Sequence, residues 1–298
     1  MTKESIADRF RLLQDHICGE LEEIDGIARF NEDAWSRKAG GGGRTRTLAN
    51  GAVIEKGGVA FSEVFGEVTP VMKKQLGLDG ETFFATGVSI VLHPENPHVP
   101  IIHMNVRYFE LNTGVYWFGG GIDLTPHYII PEQAGEFHRS LATVCEKYSP
   151  DFYPRFKVWA DDYFFNTHRN ETRGVGGIFY DHLDDSCGLS KDQLLAFAVD
   201  LGELFPVVYK YQVEKGKNKV FTADQVRWRN VRRGRYVEFN LVHDRGTKFG
   251  LLSGGRTESI LLSMPPQAEW FYNEIPEDQS AEGQTLKFLV KGENWCEK

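Results

Sequence analysis

The sequence predicts a single α+β domain in which helices flank an antiparallel sheet. Apolar residues recur every three or four positions in some segments, as in a helix, and every second position in others, as in a strand. No internal repeat, low-complexity linker or shift in composition marks a boundary along the 298 residues. We therefore expect one domain that spans residues 1–298.

Helical periodicity occurs in four segments. In the first, Ile6, Phe10 and Leu13 begin an apolar stripe that charged residues interrupt. The third opens at Ser190 with Gln193 three residues later, which is the pattern of a capping box. The helices are predicted over residues 3–24, from Pro131, from Ser190 toward Pro206, and over residues 280–294.

Strand periodicity predicts two pairs of neighbouring strands. Residues 82–118 alternate on both sides of a proline-rich turn at residues 94–98. Residues 235–252 alternate around residues 244–247, which predicts a second hairpin. The glycine-rich segment 35–64 contains short β-like runs.

The composition excludes several classes of protein. The chain carries 34 Lys+Arg against 42 Asp+Glu, a net charge of −8, and 41% of its residues are hydrophobic. The hydrophobic content argues against a disordered chain, and the net negative charge argues against nucleic acid as the default partner. No apolar run reaches the roughly 18 residues that a membrane-spanning helix needs.

The four cysteines and the N-terminal residues indicate in which cellular compartment the protein is expected. The cysteines are widely and irregularly spaced, and the chain starts without the apolar segment of a signal peptide. Free thiols and a cytoplasmic location are the simplest expectation.

One predicted strand carries specialised polar side chains on a single face. His103, Asn105 and Arg107 alternate with apolar residues, so that all three project to the same side. Ser89 and His93 follow the same pattern on the preceding strand. A proton carrier, an amide and a cation side by side predict a surface that binds a polar, anionic ligand.

Three glycine-rich segments lie beside charged or aromatic residues. Glycines 119–121 follow Trp117 and Phe118, whereas glycines 40–43 precede two arginines and either cradle carboxylates or form a flexible hairpin end. Residues 253–256 place backbone amides beside Arg256, which suits a carboxylate. None of these segments matches a P-loop or a dinucleotide-binding fingerprint.

Asp244 and Arg245 stand at the turn of the predicted second hairpin, where they either join this ligand surface or only stabilise the turn. The five arginines of residues 227–235 are interpreted as a solvated strand or an interface, with RNA binding as the weaker alternative. The nine histidines show no metal-binding spacing, and His138 lies on an apolar helix stripe, which favours a packed core histidine.

Several long motifs resemble those of the oxygen-dependent coproporphyrinogen III oxidase family in its bacterial form. They occupy residues 100–109, 117–126, 168–181, 235–241 and 254–259. They occur in the family's order and span most of the chain. One departure is Tyr116 before Trp117, where many relatives have two tryptophans.

The resemblance implies an enzyme of heme biosynthesis. Such enzymes use O2 to convert two propionates of coproporphyrinogen III into vinyl groups, which gives protoporphyrinogen IX. The resemblance also implies a homodimer, a large antiparallel sheet with helices on both faces, and no organic cofactor. A requirement for a divalent metal is disputed in the family.

The family motifs also imply site residues. His103, Arg107 and Asp244 form the expected catalytic set, with His103 as proton donor and Asp244 as the carboxylate that holds pyrrole N–H groups. The expected substrate-binding residues are Ser89, Asn105, Arg107, Arg245, Gly254, Gly255 and Arg256. The candidate metal ligands are His93, His103, His138 and His168.

Two rival functions fit parts of the pattern. A metal-dependent oxygenase that uses the four histidines would lose its activity when the metal is removed. A non-catalytic tetrapyrrole- or RNA-binding module would bind through residues 227–235 or the polar strand face, and its RNA complex would weaken steeply with salt.

Overall fold

A computed structural model describes residues 1–77, 79–252 and 255–298 of the chain. Its strands are β1 (Asn31–Ser36), β2 (Gly41–Ala49), β3 (Ile54–Glu67), β4 (Thr82–Pro94), β5 (Ile101–Leu111), β6 (Tyr116–Thr125), β7 (Phe165–Asn166), β8 (Glu171–Thr172) and β9 (Gly176–Leu183). Seven of them form one antiparallel sheet in the order β1-β2-β3-β4-β5-β6-β9, while β7 and β8 pair separately.

Helices account for much of the remaining described chain. They are α1 (Lys3–Asp25), α2 (Pro70–Leu76), α3 (Pro131–Glu146), α4 (Phe152–Tyr163), α5 (Lys191–Gly216), α6 (Ala223–Glu238), α7 (Arg245–Leu252), α8 (Thr257–Leu261) and α9 (Ala281–Lys287). A π-helical turn, Phe239–His243, continues α6. In the described part of the chain, no helix combines the length and apolar character needed to cross a membrane.

The first three predicted helices are confirmed, and their starts are the expected ones. Helix α1 covers the predicted segment, and α3 begins at Pro131. Ser190 caps α5 by accepting from the Gln193 backbone N–H at 3.3 Å, and Gln193 returns the bond in a capping box. Helix α5 continues beyond Pro206 because the residues after the proline, such as Tyr209, pack into the core.

One face of the sheet carries the main hydrophobic core. Ile102, Met104, Val106 and Tyr108 on β5 are fully buried, and they belong to one cluster with the apolar stripes of α1, α3 and α5. The alternation that predicted β5 is therefore confirmed. Burial of this face fixes the register of the strand, since a one-residue slip would turn the polar side chains into the core.

The opposite face, which we call the polar face, is only partly covered. Tyr236 of α6 packs against Val91 and Ile101 on this face, so that helices flank the sheet on both sides as expected. The Phe239 side chain clusters with Phe164 and Phe179 nearby. Between these contacts, His103, Asn105 and Arg107 remain half-buried.

The predicted hairpin at residues 235–252 is wrong. The segment forms the end of α6, the π-helical turn and α7. Tyr236, Phe239, Asn240 and Thr247 are its buried residues, and the first three have the three- and four-residue spacing of a helix. The alternating pattern of the sequence thus does not decide which residues face the core.

Three further expectations need correction, in whole or in part. The last predicted helix is much shorter, because α9 ends at Lys287. Gly40 lies in the turn of the β1–β2 hairpin, which agrees with the hairpin-end alternative, whereas glycines 41–43 already begin strand β2. Arg44 pairs with Asp15 of α1. Arg227 of α6 is 47% exposed, but Arg229, Arg232 and Arg233 are not solvated, since they are at most 3% exposed. They pair with Glu55 and Glu171 and are not accessible to RNA.

Candidate active site

The sheet register aligns the polar side chains in rows across the polar face. Ser89 of β4 stands opposite Asn105, which stands opposite Gly121 of β6. The next row places Arg107 between Gly87 and Gly119, and the row on the other side places His103 beside Asp123. The predicted grouping of Ser89 with His103, Asn105 and Arg107 is therefore present.

His103 is held by a buried carboxylate. Its Nδ1 lies 2.8 Å from Asp123 Oδ1. Arg173 binds the same carboxylate with two bonds, from Nη2 at 2.6 Å and from Nε at 3.1 Å. A third bond joins Arg173 Nη1 to Asn240 Oδ1 at 2.7 Å. His103, Asp123, Arg173 and Asn240 thus form one hydrogen-bonded chain, which we call the His103 chain.

Charge compensation keeps Asp123 ionised in this chain. Burial alone would raise the pKa of its carboxyl, but the charge of Arg173 and the hydrogen bond to His103 outweigh burial, so that the pKa lies below its ordinary value. The Arg173 guanidinium also lies 4.5–4.7 Å from the ring centres of Phe164, Tyr236 and Phe239. These ring faces partly replace the water that a cation loses on burial.

The carboxylate also decides the tautomer of His103. Because an ionised carboxylate only accepts hydrogen bonds, Nδ1 of His103 carries a proton. The imidazole is 22% exposed. Its Nε2 can therefore take a proton as the neutral ring or deliver one as the cation, which suits a proton donor.

Arg107 pairs with a carboxylate that sequence reasoning did not select. Its Nη2 lies 2.9 Å from Asp181 Oδ2 of β9. The two side chains meet directly above Gly119, where an added Cβ would lie 2.7 Å from Asp181 Oδ1 and 2.8 Å from Arg107 Nε. Gly119 thus leaves the space that this ion pair occupies.

We expect Gly119→Ala to weaken substrate binding while barely changing stability. The added methyl would meet only the ends of two flexible side chains, which can move at little cost to the fold, but Arg107 would then leave its position. For the substrate that the sequence motifs imply, coproporphyrinogen III, the KM should rise about tenfold, the usual effect of losing one well-placed charged contact. Steady-state kinetics and thermal melting measure the two effects, and an unchanged KM would contradict this role of Gly119. Gly19→Ala is the matched control, since no atom of the described part of the chain lies within 4 Å of the added Cβ there.

Asp244 lies at the start of α7. Its Oδ1 accepts from the Tyr163 hydroxyl at 2.8 Å, and its Oδ2 accepts from the backbone N–H of Thr247 at 2.6 Å. The second bond caps the helix. The guanidinium of Arg245, which is exposed, lies 5.8 Å from the Tyr163 ring centre. Asp244 and Arg245 are thus anchored beside the polar face through α4 rather than by a hairpin.

Arg256, another predicted binding residue, lies at the other end of the sheet. Arg256 forms an ion pair with Asp33 of β1, four strands from Arg107. The Gly255 amide donates to the Gly250 carbonyl at 2.8 Å, so this backbone amide is already used within the chain. Gly254 lies outside the described residues.

The four candidate metal ligands have separate surroundings. His93 Nε2 bonds the Ser263 carbonyl at 2.8 Å, and burial lowers its pKa well below the ordinary value. His138 bonds Tyr153 and the Val175 carbonyl through its two ring nitrogens, and burial lowers its pKa to about 3. The ring nitrogens of His168 lie 2.8 Å from His243 and 2.7 Å from Glu238. Among residues 1–77, 79–252 and 255–298, no three His, Cys, Asp or Glu side chains are arranged to hold a metal ion.

Sequence reasoning missed five residues of this arrangement: Asp123, Arg173, Asn240, Asp181 and Tyr163. Asp123 could have been found, because it follows Gly119 and Gly121 at spacing two on the same strand face. Arg173 carried no local signal. It comes from the segment before β9 and meets Asp123 only in the folded chain.

The comparison with known families agrees with this arrangement. The sequence model described as coproporphyrinogen III oxidase matches residues 5–295, nearly the whole chain. The chain belongs to the coproporphyrinogen III oxidase family. Its members are oxidoreductases of porphyrin biosynthesis that act on a tetrapyrrole.

Proposed function

We propose that this protein catalyses the oxygen-dependent decarboxylation of two propionates of coproporphyrinogen III, giving protoporphyrinogen IX. The observation that carries the proposal is the His103 chain beside Arg107 on one sheet face. It places a partly exposed imidazole and a carboxylate-binding cation on the same sheet face, in the two rows that flank the row of Asn105. A reaction that releases CO2 from a bound propionate needs both groups.

The arginines would bind the propionates. Arg107 and Arg245 lie near the His103 chain, whereas Arg256 pairs with β1 across the sheet. Four strand spacings separate β1 from β5, roughly 19 Å. This separation suits a wide ligand with carboxylates on different sides. The small residues Ala60 of β3 and Ser89 of β4 are paired between these two strands and leave room for a macrocycle.

Asp244 would hold the pyrrole N–H groups and favour loss of one pyrrole proton. The electron-rich ring then reacts with O2, and the resulting peroxide removes a hydrogen from the β-carbon of a propionate. Each propionate loses CO2 and two electrons to become a vinyl group, while O2 gains two electrons and two protons to become H2O2. One proton is the β-hydrogen and the other is delivered from outside the propionate, a role that His103 Nε2 can serve.

Turnover of freshly reduced coproporphyrinogen III tests the proposal. The assay is run in air, without O2, and in air after chelation, and the products are separated by chromatography. We expect protoporphyrinogen only when O2 is present, with activity retained after chelation because the described residues bring no metal-binding cluster together. Product without O2 would overturn the oxygen dependence. If chelation abolishes the activity and one metal restores it, the histidines take part in the reaction as metal ligands. If no product forms under any condition, the non-catalytic binding module is favoured.

We also propose a cytoplasmic homodimer. All four cysteines are free thiols, as expected in a reducing compartment. Large apolar side chains such as Leu252, Tyr272 and Ile275 are at least 70% exposed in the single chain, which supports a contact with a second copy. Sedimentation velocity would show a dimer of about 68 kDa, twice the 33.9 kDa chain.

A further inference from the structure

Strand β9 carries a bulge beside Arg107. Phe118 of β6 pairs with Leu183, whereas Gly120 pairs with Tyr180. Asp181 and His182 therefore stand together opposite the single residue Gly119. A bulge of this kind turns extra side chains toward one face of a sheet and is frequent beside active sites.

The bulge contains local backbone strain. His182 has a φ of +49°, in the left-handed region that residues other than glycine seldom adopt, although asparagine, aspartate and histidine enter it more often than most. Its backbone N–H donates to Asp181 Oδ1 at 2.9 Å, which ties the strained residue to the carboxylate that holds Arg107. Such strain persists where the surroundings enforce it, and it is concentrated at functional sites.

The His182 ring extends an aromatic column across four strands. Phe83 stacks on Phe109 with ring centres 5.8 Å apart, Phe109 on Trp117 at 4.4 Å, and Trp117 on His182 at 4.7 Å. Each ring comes from a different strand, and the column runs along the row next to Arg107. His182 is exposed and forms its outer end.

We infer that this bulge is a substrate-recognition element in which Asp181 orients Arg107 and His182 contacts one carboxylate-bearing pyrrole ring. Arg107 binds the carboxylate of that pyrrole, while the His182 ring packs against its apolar edge. The column offers a flat apolar surface next to a held cation, which matches the chemistry of a pyrrole with an acidic side chain. This inference rests on the proposed function, since it names one more contact of the same substrate.

A purely structural role predicts a different outcome from a recognition role. Asparagine tolerates the left-handed region better than histidine but lacks the ring. If His182 only fills the bulge, His182→Asn should be at least as stable as the natural protein and equally active. If His182 contacts substrate, the same variant should keep its melting temperature and bind the substrate less tightly.

We therefore expect His182→Asn to raise the KM for coproporphyrinogen III about three- to tenfold, the usual effect of one lost aromatic contact, with kcat within about twofold. The fluorescence-measured Kd of oxidised coproporphyrin III, an unreactive probe, should rise in parallel. His182→Phe restores the ring and should recover most of the affinity. His16→Asn is the control, because it removes an exposed histidine from α1 on the other side of the sheet.

The outcomes separate this inference from the proposed function. A natural protein that neither binds nor converts the tetrapyrrole would overturn both. Normal turnover together with an unchanged KM and Kd in His182→Asn would overturn only the inference. A raised KM that His182→Phe does not recover would also contradict the stacking contact.

Discussion

Replacing Asp123 by Asn is expected to lower the free energy of unfolding by about 3–5 kcal/mol, because it leaves a buried charge without its partner. Arg173 is 2% exposed and Asp123 is 1% exposed, so water cannot replace the lost carboxylate. Asparagine has nearly the same size, so the loss reflects charge and hydrogen bonding rather than a cavity. Urea unfolding measures the change.

The same substitution should lower kcat at least about 100-fold, the usual contribution of a well-placed proton donor. An asparagine amide would no longer hold Nδ1 of His103 protonated and would leave Nε2 in an undefined state. Turnover measured well below the melting temperature separates this effect from unfolding. Asp162→Asn is the matched control, since Asp162 is 65% exposed and, among the described residues, pairs only with Lys291. Unchanged stability and unchanged turnover in Asp123→Asn would contradict the role of the His103 chain.

Asp123→Asn should also change how the free energy of unfolding depends on pH in the acid range. The pKa of Asp123 is lower in the folded protein than its ordinary value of about 3.9, so its ionised form contributes stability above that value. This contribution disappears as the pH falls through the folded pKa. Asp123→Asn should therefore reduce the difference in stability between pH 6 and pH 3, measured by urea unfolding at each pH. A pH dependence identical to that of the natural protein would contradict the assignment.

Substitution of Asp244 is expected to have the second large effect on turnover. Two different substitutions separate its role as the cap of α7 from its role toward the pyrrole N–H groups. Asp244→Asn keeps an oxygen that can cap α7 but removes the negative charge, so stability should change by less than about 0.5 kcal/mol. Turnover should nevertheless fall about 100-fold, because the neutral amide neither attracts pyrrole N–H groups nor favours the loss of a pyrrole proton. Steady-state turnover and thermal melting report the two quantities.

The alanine variant of Asp244 loses both functions. Without the bond to the Thr247 N–H, Asp244→Ala should cost about 1 kcal/mol of stability in addition to the loss of turnover. Thr222→Ala at the N-cap of α6 is a control for capping alone, since it should show a similar stability loss with little change in turnover. Near-normal turnover in Asp244→Asn would contradict a catalytic role of Asp244 and would mean that the residue only caps the helix.

Much of the fold and part of the site could be predicted from local pattern. The helix starts at Pro131 and Ser190 follow from residues that interact with their own next turn. The grouping of His103, Asn105 and Arg107 follows from the two-residue period of a strand. The prediction of a hairpin at residues 235–252 was wrong because the apolar residues of this segment fit a helix as well as a strand. The burial of Tyr236 and Phe239 decides in favour of the helix.

By itself, the sequence determined the α+β class, the polar face of β5 and the family motifs, because each depends on residues that are close along the chain. Only the tertiary structure placed Asp123 and Arg173 against His103, and Asp181 against Arg107. These partners lie 20, 50 and 74 residues apart in the sequence. Local periodicity cannot pair charges over such distances. Sheet register, a bulge in β9 and the packing of α6 bring them together, where burial makes each charge require a partner.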